Sequence, residues 1–163
     1  MILLRFLITA CLITVFSGFA LAQGTQVAFG TIQDNSGLPV EITADALAVD
    51  QASGEAVFTG NVVIVQGEMR LSAQRVLVEY RDEPQGISRV EATGDVILIS
   101  GADAAESEQA EYNVDDGTIV MTGNVLLAQG PSALTADKLT VQVESGTAQM
   151  SGRVKTVIQP EEN

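Results

Sequence analysis

The chain has 163 residues, with 21 Asp/Glu against eight Lys/Arg, no histidine, one cysteine and a net charge of −13. So acidic a chain is a poor partner for nucleic acid, which needs clustered cations to meet its phosphates, and it does not adhere unaided to an anionic membrane surface. Without histidine the usual catalytic triads and histidine-containing metal sites are also excluded.

Residues 1–22 read as an export leader. Arg5 and the amino terminus give a thin positive region, residues 8–19 are an apolar run, and Ala20-Leu21-Ala22 has the A-x-A form of a cleavage site. The expected cut falls after Ala22, before Gln23. An uncleaved anchor is the competing reading, but the run falls short of the ~20 residues a spanning helix needs. Lipidation at Cys11 is a further alternative, and Ile8-Thr9-Ala10 brings that cysteine too early in the apolar run. The expected mature chain has 141 residues, no cysteine and seven Lys/Arg against 21 acidic residues, a net charge of −14. That length suits one domain. An exported chain without cysteine, expected in a bacterial periplasm, is held by packing and backbone pairing rather than disulfides. Its charge keeps a β-rich protein soluble.

Residues 23–40 form a lead-in. Val27-Ala28-Phe29 suits a short edge strand, Asp34-Asn35-Ser36-Gly37 is a turn cluster, and Pro39 limits pairing. From Glu41 to about residue 160 the pattern is that of one all-β domain: Val, Ile and Thr are abundant and alternate with period two. A phrase recurs four times, as Thr59-Gly60-Asn61-Val62, Thr93-Gly94-Asp95-Val96, Thr122-Gly123-Asn124-Val125 and Ser151-Gly152-Arg153-Val154, with glycines 34, 29 and 29 residues apart. A second phrase, beginning at Thr43, Ser72, Glu106 and Thr135, steps by 29, 34 and 29. One five-residue insertion around 81–85 explains both long steps. A period of this size means a repeated supersecondary unit that buries its apolar face by stacking. Each unit reads as a strand, a turn ending in glycine (Gly54, Gly117, Gly146), and a second strand with the Thr-Gly phrase at its middle.

Charges show which face is wet. Arg89, Glu91, Asp95, Arg153 and Lys155 mark it in one strand of the unit, and Arg75, Glu79 and Lys138 in the other. The opposite parity gives an inward set: Phe58, Val62, Ile64, Val96, Leu98, Met121, Val125, Leu127, Met150 and Val154, with Val76, Val78, Tyr80, Leu139 and Val141. Alignment adds Leu47, Val49 and Tyr112. The repeated glycine falls on the inward parity too, which suggests strands bending along one line. On a stronger reading it keeps an interior slot open. Few aromatics and modest inward side chains fit such a slot, although small residues also pack tightly.

Ile42-Thr43-Ala44-Asp45, Phe58-Thr59-Gly60-Asn61-Val62, Gln66-Gly67 and Leu71-Ser72-Ala73, followed by Thr122-Gly123-Asn124-Val125, Gln129-Gly130 and Leu134-Thr135-Ala136-Asp137, resemble the OstA-like family over about residues 40–158. The resemblance implies an elongated, open antiparallel β-jellyroll with an apolar groove along its length. It also implies binding of the lipid A acyl chains of lipopolysaccharide, and a bridge from the inner to the outer membrane. The implied partners are an inner-membrane LptC-like and an outer-membrane LptD-like jellyroll domain, with head-to-tail copies of the chain itself. On that view the eighteen inward residues named above line the groove. The second repeat departs from the pattern, because Gly101-Ala102-Asp103-Ala104-Ala105-Glu106 replaces the Gln-Gly and Leu-x-Ala signals, and pairing is least determined there. The alternatives are a membrane-anchored LptC-like component and an adaptor that only docks other β-proteins by its edges.

No catalytic constellation, metal site or cofactor is expected. Asp115-Asp116-Gly117 lacks the spacing of a calcium loop and suits a turn, and nothing in the sequence sets two carboxylates together in a cleft, as a glycosidase requires. At the end of the chain, Val154, Thr156 and Ile158 form a final apolar strand guarded only by Lys155 and the following Pro160-Glu161-Glu162. Such an edge invites another chain. Val27 and Phe29, within residues 26–32, are expected to supply the matching edge at the opposite end.

Overall fold

The structure, a computed structural model, describes residues 25–29, 38–81 and 86–158. The leader, the 34–37 turn, most of the insertion and Pro160-Glu161-Glu162 lie outside them. The described chain is all β: β1 (Thr25–Ala28), β2 (Glu41–Thr43), β3 (Ala46–Asp50), β4 (Glu55–Gln66), β5 (Met69–Arg81), β6 (Gly86–Ser100), β7 (Asp103–Asn113), β8 (Thr118–Gln129), β9 (Ser132–Gln142), β10 (Thr147–Ser151) and β11 (Lys155–Ile158). They form one 11-stranded antiparallel sheet in the order β1-β10-β9-β8-β7-β6-β5-β4-β2, with β3 also on β4 and β11 also on β9. The Gly-x pairs Gly67-Glu68, Gly101-Ala102 and Gly130-Pro131 close two-residue hairpins, as a primed turn with glycine first allows. Pairing at 100–110 therefore follows the other repeats, with Ser100 opposite Asp103 and a register shift only at the corner, between Glu106 and Gln109. Asp115-Asp116-Gly117 is a turn held by Asn113 Oδ1, which accepts from the Asp115 and Asp116 amides at 3.0 and 3.2 Å.

The Thr-Gly phrase makes a corner. Thr59 pairs with Arg75 but Val62 pairs with Ala73, so β4 carries one extra residue there. The same slip recurs in β6 and β8. Gly60, Gly94, Gly123 and Gly152 have φ of 77, 82, 85 and 76°, and the residues after them, Asn61, Asp95, Asn124 and Arg153, lie at 46–50°. Two successive left-handed residues fold the strand over. Glycine does this without strain, and Asn and Asp tolerate it.

The folded-over strands make two layers. Layer one holds β3, the halves of β4 to β9 that continue it, β10 and β1; layer two holds β2, the other halves and β11. At each corner a side chain of one strand lies over the glycine of the next. A β-carbon on Gly60 would come 2.9 Å from that of Asp45, and one on Gly123 2.8 Å from that of Glu108. Asp45, Gln74 and Glu108 are exposed. The glycines therefore face this outer polar corner, which overturns the interior slot expected from parity: the added bulge residue rotates the glycine out while keeping Phe58 and Val62 in. Four rungs line the corner: Asn61 to Asp45 (2.8 Å), Gln74 to Asp95 (2.6 Å), Asn124 to Glu108 (2.6 Å) and Arg153 to Asp137 (2.5 Å).

β1 does not stand at the far edge. It pairs with β10, Val27 opposite Ala148. The Phe29 amide donates to Gly146 O at 3.0 Å, as Tyr80 does to Gly54 O and Val143 to Gly117 O, each at 2.8 Å. β1 thus holds the place that the next strand of a further repeat would take. Phe29 is wholly buried, so neither it nor Val27 forms an edge opposite the final strand. The edge at the other end is β2 and β3.

Candidate functional site

The layers are joined at the corner and stand apart at their hairpin ends. Between them lies a cavity of about 410 Å³, a size typical of ligand pockets. Layer two contributes Ile42, Ile64, Gln66, Met69, Leu71 and Leu98; layer one contributes Val78, Arg81, Ile87, Val90, Tyr112 and Ile119 among others. At the β2 edge the wall ends at Val40, which is 46% exposed, so the cavity reaches the surface there. Toward β10 it ends. Val125, Leu127, Leu139, Val141 and Met150 are at most 1% exposed, and Phe29 fills the seam between the layers. Gln129, on a layer-two hairpin, donates to Ala28 O of β1 at 2.5 Å and ties that seam shut.

Of the residues singled out from parity, Ile64, Val78, Leu98 and Tyr112 line this cavity. Val62, Val76, Val96, Met121, Val125, Leu127, Leu139, Val141 and Met150 are packed core, and Phe58 packs partly against it. Four are not inside. Leu47 and Val49 are 56 and 62% exposed because β3 is an edge strand with no neighbour beyond it among the described residues. Tyr80 is 48% exposed: β4 has ended at Glu55, and β6 slips by one residue between Arg89 and Ile87 opposite it. Val154, 38% exposed, lies in the link where β10 breaks from β11.

Parity missed Leu71, Ala73, Ala105, Leu134 and Ala136, which are buried or half-buried. The strand that meets each bulge has two outward residues in a row, Gln74-Arg75 or Asp137-Lys138, so its inward parity switches there. The signal was present in the Leu-x-Ala pairs followed by two polar residues.

Among the described residues, Arg81 is the one charged residue on the cavity wall. It pairs with Asp115 and donates to Ile87 O at 3.2 Å, while its buried Nε has no partner. Burial also pushes the Tyr112 hydroxyl above its ordinary range. On the outside of layer one, Arg89 bridges Glu111, Glu79 and Glu91 at 2.7–2.8 Å. The hydrogen bond to Arg89 holds the Glu111 carboxyl below its usual range. Among the described residues no group of His, Cys, Asp or Glu is arranged to hold a metal ion.

A folded-over antiparallel sheet with an apolar cavity between its layers defines a β-jellyroll. Residues 41–151 match the family described as LptA/(LptD N-terminal domain) LPS transport protein, and the chain belongs to that family. An uncharacterized protein of Rhizobium meliloti is 32% identical over 115 residues, 66% of this chain and 62% of that protein. The LPS-assembly protein LptD of Salmonella choleraesuis is 41% identical over 66 residues, 39% of this chain and 8% of LptD. The chain thus spans less than two thirds of either relative. The crystal structure of LptH, the LptA-homologous periplasmic component of the lipopolysaccharide transport device of Pseudomonas aeruginosa, superposes with a TM-score of 0.68 at 18% identity, covering 80% of this chain and 99% of LptH.

Proposed function

We propose that the protein is exported to the periplasm, with its leader cut after Ala22, and carries lipopolysaccharide from the inner to the outer membrane. The lipid A acyl chains lie in the cavity between Ile64, Leu71, Leu98 and Tyr112. The observation that carries this reading is a cavity walled almost wholly by aliphatic side chains in a member of this family. Each buried methylene contributes about 0.8 kcal/mol, so acyl chains supply the affinity and no chemical step is involved. Its neighbours in the bridge are LptC-like and LptD-like jellyroll domains and further copies of itself. They meet end to end, β2 and β3 of one against the β10–β11 end of the next. The relatives described as LptD and as a periplasmic transport component support this choice of partners and compartment. Native mass spectrometry of protein purified from its own envelope tests the reading. Co-purified lipopolysaccharide is expected; protein that is recovered lipid-free and takes up no lipopolysaccharide when offered it counts against the proposal.

A further inference from the structure

β1 and β3 are strands of one kind. In β3, Leu47 and Val49 pair with Phe58 and Ala56; in β1, Thr25 and Val27 pair with Met150 and Ala148. Phe58 and Met150 each stand two residues before a corner glycine, so the two registers are the same. A second copy that sets its β2 along the free edge of β11 in layer two brings its β3 onto β10 in layer one. This follows because β2 and β3 are halves of one bent strand, as are β10 and β11. In that arrangement Leu47 and Val49, now 56 and 62% exposed, fall where Thr25 and Val27 stand. Opposite charges meet at the corner and in layer two: Glu41 and Asp45 on the arriving edge, Arg153 and Lys155 on the receiving end. The place is already taken by the chain's own β1.

We propose that β1 is a self-cap: it covers the edge of β10 that β3 of a second copy would pair with, and end-to-end assembly displaces it. This rests on the stacking described above. Displacement also withdraws Phe29 from the seam between the layers and opens the closed end of the interior toward the next copy. Assembly and continuity of the conduit are thereby coupled. β1 is a strand of only four residues, held along one edge.

The mature chain lacks cysteine, so disulfides test this directly. Gln26 and Gln149 are paired and exposed, and a Gln26→Cys/Gln149→Cys protein can be locked by oxidation. Sedimentation velocity of the oxidised protein should show stacking at least about tenfold weaker than after reduction, since only the uncapped fraction is competent. Conversely, Ala48→Cys mixed with Gln149→Cys should form an inter-copy disulfide in the register of Ala48 with Val57. Its yield should rise when residues 25–29 are deleted. Equal stacking of locked and reduced protein overturns the self-cap and leaves stacking intact. Absence of stacking in both the reduced protein and the deletion variant removes stacking itself, and the self-cap with it. Should the deletion variant fail to fold, the lock still decides.

Discussion

Around Ile64, Leu71 and Tyr112 the two layers stand apart and leave about 410 Å³ between them. Around Leu127, Val141 and Met150 they are in contact, and these three side chains are fully buried. Both regions are made from the same repeat: Ile64, Leu98 and Leu127 hold one position in successive units, as do Val78, Tyr112 and Val141. The repeat therefore sets the frame and does not set the filling. What differs is supplied from outside it, by Phe29 in the seam and by Ala28, whose carbonyl accepts from Gln129. A periodic sheet becomes a hollow with one open and one closed end because a non-periodic strand stops it.

Truncations should separate the two regions most strongly. Met121→Ala or Leu139→Ala, in the filled half, should cost about 2–5 kcal/mol, as buried Met and Leu truncations do. Ile64→Ala or Leu71→Ala, on the cavity wall, should cost less than half of that, because these side chains already border empty space. Urea midpoints of the four variants measure this, and equal losses would break the contrast. The corner should not distinguish the halves. Gly60→Val and Gly123→Val each force a branched residue to φ of 77 or 85° against Asp45 or Glu108, costing about 1–2 kcal/mol from backbone strain alone. Lipid capture should persist in both, since these glycines face outward; capture lost at unchanged stability would restore the interior slot.

Filling the hollow should act the other way. Ala110→Leu puts three more carbons into the cavity wall and should lower lipopolysaccharide uptake about tenfold, a change of ~1.4 kcal/mol, with little loss of melting temperature. The same enlargement at Ala148, at the closed end, should destabilise by overpacking. The smallest effect is electrostatic. Arg153 holds the Asp137 carboxyl below its ordinary value, and Arg89 does the same for Glu111. A carboxyl depressed in the folded state adds stability above its unfolded value, and that stability fades as pH falls through the folded one. Melting temperature should therefore drop as pH falls from about 4.5, the ordinary Glu value. The drop should be small in high salt, because all four groups lie at the surface and are at least partly exposed, and Arg153→Gln should remove part of it.

Much of this was legible in the residues. Strand content, the 29-residue period, the bend at the Thr-Gly phrase and the core identity of Val62, Val76, Met121 and Leu139 all follow from alternation and spacing, which are local. Two kinds of information were not local. Alternation carried straight through Gln74-Arg75 and Asp137-Lys138 hides the switch that buries Ala73 and Ala136, because the extra residue sits in the neighbouring strand. Pairing partners at the ends were hidden too. Val27 and Phe29 read as an edge strand either way, and only the folded sheet shows that they lie beside β10. The split between hollow and filled halves turns on that one placement, so the cavity residues Ile42, Met69 and Ile87 carried no signal of their own, whereas alternation did set Val143 inward.

The pairing of β1 with β10 also sets an order of events. Every other pairing joins strands no more than two apart in the chain, whereas Gln129 and Ala28 meet across 101 residues. Local hairpins close early and cheaply, while a contact of that span waits for the rest and forms slowly. β1 is made before the other described strands, yet it can pair only once β10 exists. During that interval the last repeat has a bare edge, and if copies stack as proposed, the first strand to reach it, from the same chain or from a neighbour, decides whether the molecule begins its life closed or joined.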